Sequence, residues 1–242
     1  MKCQVRPRRE KYDRRTVRCF VVLSAADYPT KSADYILNDL YSSRFHAYLD
    51  HRLITPSTER IPPEGFGDQN YIHPAWITLA FERYMALGLG YFKLANKLGL
   101  RKKAVYLRSP FRTQRFTPFN GDIKCYAGDF WLTGDRTTAA SLLEQDDQNN
   151  KIYTHFSKRP VPDEGINQTI LCNRESLSIC PDNKRYADWR GRTNHPRSLT
   201  VTDFPTLLVS EDHFARKFVF DPSALRELDV LVDAKVEIKV GR

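Results

Sequence analysis

A strand, a polar turn and a helix follow one another near the start of the chain, and this order limits the folds open to it. Residues 17–24 (VRCFVVLS) form a β-branched and aromatic run, which predicts a buried strand. The segment D-Y-P at residues 27–29 predicts a turn, and Ser32 precedes the helical pattern ADYILNDLYSS. A strand that leads through a short turn into a helix is typical of α/β proteins. We therefore predict an α/β fold.

Strand and helix patterns recur farther along the chain. Residues 75–99 predict a helix interrupted by glycines, and residues 125–133 (CYAGDFWLT) predict a strand. Asp135 is placed to cap the helix that follows, and residues 222–233 (PSALRELDVLVD) predict a helix near the end of the chain. Residues 146–159 are a polar stretch.

Composition indicates a globular protein with a basic surface. The 242 residues are 41% hydrophobic and 28% charged, with a net charge of +9. We divide the chain into a basic N-terminal segment, 1–18, and a single domain, 19–242. The sequence has no run of 18 apolar residues and no secretory signal, so a cytoplasmic location is expected.

The positive charge leaves several classes of partner open. A nucleic-acid binder is one hypothesis, but the charge is scattered and no DNA- or RNA-binding motif occurs. A basic surface also suits phosphates, nucleotide sugars and anionic lipid, including peripheral contact with a membrane. We expect no nucleic-acid partner.

The sequence offers no metal or disulfide framework. Five cysteines, an odd number, occur without a C-x-x-C pair, which argues against a zinc site and a fully paired scaffold. Whether Cys172 and Cys180 pair is left open. The six histidines are scattered, and no D-x-D segment is present to hold a divalent metal against a diphosphate.

The segment VPDEGINQTI, residues 161–170, places two carboxylates before an apolar run. One interpretation is structural, with Asp163 as a helix cap and Glu164 in the first helical turn. The other is that Glu164 is a general base, since a carboxylate at a helix start is rigid and well aimed. In isolation, the segment favours capping.

Two further segments carry candidate binding residues. Arg216 and Lys217 lie between two phenylalanines in HFARKF, either as a solvated basic pair or as a phosphate clamp. Arg197 is a lone cation ahead of a strand. Trp189, with Tyr186, predicts either core packing or a platform for a sugar ring.

Taken in order, these segments resemble the core-2/I-branching β-1,6-N-acetylglucosaminyltransferase family, which includes the peptide O-xylosyltransferases. The resemblance runs from about residue 17 to residue 229. The matching segments are FVVLSAADYPTKSADYI, KCYAGDFWLTGD, VPDEGINQTILCN, RYADW, HPRSLTVTDF and SEDHFARKF.

The resemblance implies a GT-A-like fold, with a mixed sheet flanked by helices, and an inverting, metal-independent transfer of N-acetylglucosamine or xylose. The donor would be a UDP-sugar, the acceptor a glycan or other hydroxyl-bearing molecule, and no cofactor would be needed. Glu164 matches the general base, and Arg197 and Lys217 match the cations that stabilise the departing diphosphate. Trp189 matches an acceptor-site tryptophan, and Asp27 lies near the donor in the family pattern.

The start of the chain departs from that pattern. The first predicted strand, from Cys19, already matches the middle of the family's fold, so we expect the uridine-binding N-terminal part to be missing. The absence of an anchor and of several disulfides resembles the shorter, bacterial type of relative. A remnant that binds a carbohydrate or a partner without catalysis is therefore the alternative function.

Overall fold

The computed structural model describes most of the chain outside its first residues and parts of its middle. The predicted N-terminal segment 1–18 lies outside the described residues apart from Arg18, and so does most of 82–116. The described residues are 18–58, 72, 74–81, 84–86, 106–108, 117–119, 121–157, 159, 161–190, 195–219 and 221–240.

The strands are short and fall into mixed and antiparallel groups, which confirms the predicted mixed α/β architecture. The strands are β1 (Cys19–Val21), β2 (Tyr28–Pro29), β3 (Ala47–Leu49), β4 (Arg52–Ile54), β5 (Tyr84–Ala86), β6 (Tyr106–Arg108), β7 (Cys125–Ala127), β8 (Leu132–Asp135), β9 (Ile179–Cys180), β10 (Arg185–Ala187) and β11 (Phe214–Arg216). In the described part of the chain the sheet orders are β1-β8-β3-β9 and β10-β11-β2, with the pairs β4-β7 and β5-β6. Strand β3 runs antiparallel to β8 and parallel to β9.

Helices flank these strands, and two of them begin where the sequence predicted. The Ser32 hydroxyl accepts a hydrogen bond from the Tyr35 N–H at 3.3 Å, and the Asp135 carboxylate accepts one from the Thr138 N–H at 2.8 Å. The helices are α1 (Ala33–Ser42), α2 (Pro74–Phe81), α3 (Arg136–Leu143), α4 (Asp147–Phe156), α5 (Ile166–Cys172), α6 (Phe204–Val209) and α7 (Pro222–Val240). None of the helices within the described ranges has the length and apolar character needed to cross a bilayer.

Two predicted strands differ from the observed ones. The strand predicted at 17–24 is reduced to β1, which is half-buried because, within the described residues, it pairs only with β8 at the edge of its sheet. The strand predicted at 125–133 is two strands, β7 and β8, which pair in different sheets. The residues between them form a loop that contributes to the candidate site.

One helix prediction was inaccurate, and one helix was not predicted. The helix predicted at 75–99 ends at Phe81, and β5 follows because it pairs with β6. Non-local pairing here overrides the local pattern. The polar stretch 146–159 contains α4, which Asp146 caps by accepting the Asn149 N–H at 2.7 Å. Its few apolar residues, Ile152 and Phe156, lie one turn apart and are buried.

Three apolar clusters support the surfaces on which the candidate residues lie. One joins α2, β4, β7, α4 and α5; another lies under β1, β3 and β8; the third joins β10 and β11 to α6 and α7. The four described cysteines, including Cys172 and Cys180, are free thiols.

Candidate functional site

Glu164 ends a 3₁₀ turn, Pro162–Glu164, that leads into α5. The residue before α5 is Gly165, and no side chain caps this helix start. Asp163 is exposed and makes no capping bond, so the interpretation of Asp163 as the cap is wrong. The turn places Asp163 two residues before the cap position, which Gly165 occupies, because α5 begins only at Ile166. Gly165 lies so close to Phe156 that an added Cβ would be 2.6 Å from its ring.

The Glu164 carboxylate is half-buried and fixed by one defined hydrogen bond. The indole N–H of Trp76 donates to its Oε2 at 2.8 Å. Burial raises the pKa of Glu164, the Trp76 hydrogen bond opposes this shift, and the charge of Asp163 adds to it. A carboxylate that is held in place and has a raised pKa is suited to accept a proton.

A loop of residues 128–131 (Gly-Asp-Phe-Trp), here called the GDFW loop, joins β7 to β8 beside Glu164. The Gly128 N–H donates to the backbone carbonyl of Glu164 at 3.0 Å. The Asp129 N–H donates to the Asp50 carboxylate at 2.9 Å. Gly128 packs closely against the backbone of Asp50, since a Cβ on Gly128 would lie 2.1 Å from the Asp50 carbonyl oxygen. The loop is therefore attached both to Glu164 and to the end of β3.

Asp129 adds a second carboxylate beside Glu164. Burial, followed by the negative charge of Asp50, raises the pKa of Asp129 to about 7. Arg52 and Arg216 lower this pKa and Glu164 raises it, so Asp129 lies within electrostatic range of both Glu164 and a cation. Asp129 is a proton-accepting candidate that motif reasoning had not assigned.

The raised pKa of Asp129 has a consequence for stability. Between the ordinary aspartate pKa and about 7, the folded chain binds more protons at this site than the unfolded chain. The favourable contribution of protonated Asp129 to the free energy of unfolding is thus fully present below the ordinary aspartate pKa and is lost as the pH rises through about 7. We expect Asp129→Asn to stabilise the fold by about 2 kcal/mol at pH 8 and to change little at pH 4.

Denaturant unfolding at the two pH values measures this difference. Asp122→Asn, at an exposed aspartate, is the control and should leave stability unchanged at both. A larger gain for Asp129→Asn at pH 4 than at pH 8 would contradict the direction of the shift.

At the other end of the GDFW loop, the Trp131 ring stacks with the Arg216 guanidinium. The Trp131 indole N–H donates to the Asp27 carboxylate at 2.9 Å. The Arg216 guanidinium carbon lies 3.5 Å from the centroid of the Trp131 ring, and Arg216 Nε lies 3.4 Å from Asp27 Oδ1. The Asp27 side chain is fully buried. Asp27 thus orients both the tryptophan and the cation stacked on it.

Lys217 has a different environment. It is exposed, and its backbone carbonyl accepts a hydrogen bond from the Leu199 N–H at 2.8 Å. This bond brings the chain just after Arg197 to the end of β11. Of the predicted basic pair, Arg216 faces the GDFW loop and Lys217 faces solvent.

Arg197 lies between two carboxylates. Its Nε is 2.5 Å from Asp188, and its terminal nitrogens donate to Asp203, one of them at 3.0 Å. Hydrogen bonds from Arg190 and Arg197 hold the pKa of Asp188 well below its usual range. Arg197 is therefore fixed in orientation, with much of its charge already balanced. Its predicted contact with a diphosphate stays a prediction.

Trp189 follows the buried Asp188 directly and is half-buried. Tyr186, by contrast, belongs to an apolar cluster and is 5% exposed, so it is a core residue and not part of a sugar platform.

The structure places Glu164, Asp27 and Arg216 at the GDFW loop, whereas the contacts of Arg197 are with Asp188 and Asp203. Glu164 lies with Asp129 at one end of the GDFW loop, and Asp27 lies with Arg216 at the other. Within the described residues no group of three or more histidine, cysteine, aspartate or glutamate side chains could hold a metal ion. The residues that sequence reasoning missed are Asp50, Arg52, Trp76 and Asp129.

Two comparisons with known proteins are informative. A family model described as Core-2/I-Branching enzyme matches residues 14–211. A β-glucuronosyltransferase of Arabidopsis thaliana is 25% identical over 218 residues, which cover 87% of this chain and 43% of that protein. The chain thus spans less than half the length of the curated relative it matches. Glu164 and the GDFW loop lie inside residues 14–211, the span that the family model matches. Arg216 and Lys217 lie beyond it.

Proposed function

We propose that this chain, which belongs to the Core-2/I-branching enzyme family, is an inverting glycosyltransferase that works without a metal ion. It would move a sugar from a UDP-sugar to an acceptor hydroxyl. We propose N-acetylglucosamine or xylose as the sugar, and the name of the plant relative adds glucuronic acid as a third candidate. The observation that carries the proposal is the Glu164 carboxylate, half-buried and fixed by Trp76 at 2.8 Å.

In the proposed reaction Glu164 is the general base. It takes the proton of the acceptor hydroxyl while that oxygen forms a bond to the anomeric carbon of the donor. The bond from this carbon to the diphosphate breaks on the opposite face, and its electron pair passes to the phosphate oxygen. Cations must offset the charge that develops there, and Arg197 and Lys217 are proposed for this role.

Arg216 is proposed to extend this set of cations. Trp131 and Asp27 hold its guanidinium in place, so no further ordering is needed when an anion arrives. Trp189 is proposed to contact the acceptor, and Asp27 to act near the donor by orienting Arg216.

A second candidate function is binding without catalysis, as a glycosyltransferase remnant. It is favoured by Arg197, whose charge two carboxylates already balance. A remnant of this kind would bind a carbohydrate or a partner and would have no donor site.

One experiment separates the two candidates. The chain is titrated with UDP by calorimetry and then incubated with each of the three UDP-sugars and an acceptor panel, with and without EDTA. For a transferase we expect UDP to bind and one donor to release UDP at a rate that EDTA leaves unchanged. Loss of turnover with EDTA would contradict metal independence. No binding at millimolar UDP and no transfer would favour the remnant.

A further inference from the structure

Asp50 fixes an arginine beside the candidate site. Arg52 Nη1 lies 2.5 Å from both carboxylate oxygens of Asp50, and each of these side chains is only 13% exposed. The same carboxylate accepts the Asp129 N–H, so it is itself attached to the GDFW loop. Because a charge-assisted pair in a partly buried position is short and directional, the Arg52 guanidinium has little freedom to move.

The fixed guanidinium lies against the indole that binds Glu164. The guanidinium carbon of Arg52 is 5.6 Å from the centroid of the Trp76 ring, within the range of a cation–π contact. Trp76 is 3% exposed, and its N–H donates to Glu164 Oε2 at 2.8 Å. The contacts therefore run without a gap from Asp50 through Arg52 and Trp76 to Glu164.

We propose that Asp50 and Arg52 are positioning residues for Glu164, and that they act through Trp76. Arg52 holds the indole ring in the orientation that aims its N–H at the carboxylate, and Asp50 holds Arg52. The proposal rests on the proposed function, in which Glu164 is the base. Asp50 lies between β3 and β4, Arg52 in β4 and Trp76 in α2, and none of the three belongs to a motif identified in the sequence.

The groups that act on Glu164 include Trp76, which is the residue through which Arg52 is proposed to act. The groups that shift the pKa of Glu164, after burial, are Trp76 by its hydrogen bond and Asp163 by its charge; Asp129 is a further charge within range. Trp76 contacts both the Arg52 guanidinium and the Glu164 carboxylate, so a change at Arg52 can reach the base through the indole.

A double-mutant cycle on Trp76 and Arg52 tests the proposal. The full chain is labelled with ¹³C at glutamate carboxyls, Glu164 is assigned by its loss in Glu164→Gln, and its titration is followed by NMR. Trp76→Phe keeps the ring but removes the donor, so the pKa of Glu164 should rise. Arg52→Gln should shift it in the same direction, because the indole N–H is then less well aimed.

The decisive comparison is the double variant. If Arg52 acts through Trp76, Arg52→Gln should not shift the pKa of Glu164 any further in a chain that already carries Trp76→Phe. In an active preparation each single variant should lower kcat ten- to a hundredfold, roughly the cost of about 1 Å of misplacement, with KM unchanged. An equal shift from Arg52→Gln with and without Trp76→Phe, or no shift from either single change, would overturn the proposal.

Controls separate positioning from folding. Arg174→Gln removes a similarly buried arginine, which is 18% exposed and 2.5 Å from Asp146. It should leave the pKa of Glu164 unchanged. If Arg52→Gln does not fold, Arg52→Lys keeps a cation over the ring and should give a smaller shift. The NMR titration needs no turnover: if Glu164→Gln kept full transfer activity while the coupling persisted, the proposed function would fail and the positioning would stand.

Discussion

Replacement of Glu164 by glutamine is expected to lower the rate of sugar transfer by about a thousandfold, the usual contribution of a general base. Glutamine has nearly the same shape and can still accept the Trp76 N–H, so the local fold should persist. It cannot accept the acceptor's proton at neutral pH. Donor binding depends on other groups, and the affinity for UDP should not change. Single-turnover transfer and UDP calorimetry measure the two quantities separately.

The neighbouring carboxylates are the controls for this result. Asp163 is exposed, and Asp163→Asn should keep most of the activity. Asp129 is the competitor, because its pKa of about 7 also suits a base. If Glu164→Gln kept full activity and Asp129→Asn lost it, the base would be Asp129.

Replacement of Gly128 by alanine is expected to destabilise the fold by about 3 kcal/mol, the upper part of the range for an overpacked site. The new methyl group would lie 2.1 Å from the backbone oxygen of Asp50, and backbone cannot move aside as the end of a flexible side chain can. Relief requires the GDFW loop to move away from β3. That movement would also break the Gly128 N–H bond to the Glu164 carbonyl. Denaturant unfolding measures the loss of stability.

Gly121→Ala is the matched control for this change. No atom lies within 4 Å of the position its Cβ would take, so it should be neutral. Equal stability of the Gly128→Ala and Gly121→Ala variants would show that Gly128 does not pack against the backbone of Asp50. If the Gly128→Ala variant folds, its transfer rate should also fall, because the loop is hydrogen-bonded to the backbone of Glu164, the proposed base.

Much of the local structure could be predicted from the sequence because its causes are local. Ser32 and Asp135 cap the helices that follow them, since each side-chain oxygen lies within reach of a free N–H three residues ahead. The P-D-E segment in isolation favoured capping, and it was the resemblance of several segments in order that directed attention to Glu164. The prediction of Asp163 as a cap was wrong because the helix begins after an extra turn, which no residue in the segment marks.

The α/β class, the two capped helix starts and a short list of charged residues could be read from the chain, because each depends on neighbouring residues. Which of those charges meet depends on tertiary packing. Trp76 lies 88 residues from Glu164, and Asp50 accepts an N–H from a residue 79 positions away. Trp131 meets Asp27 across 104 residues. Contacts of this kind arise from how the strands and helices pack, and no spacing within a segment encodes them.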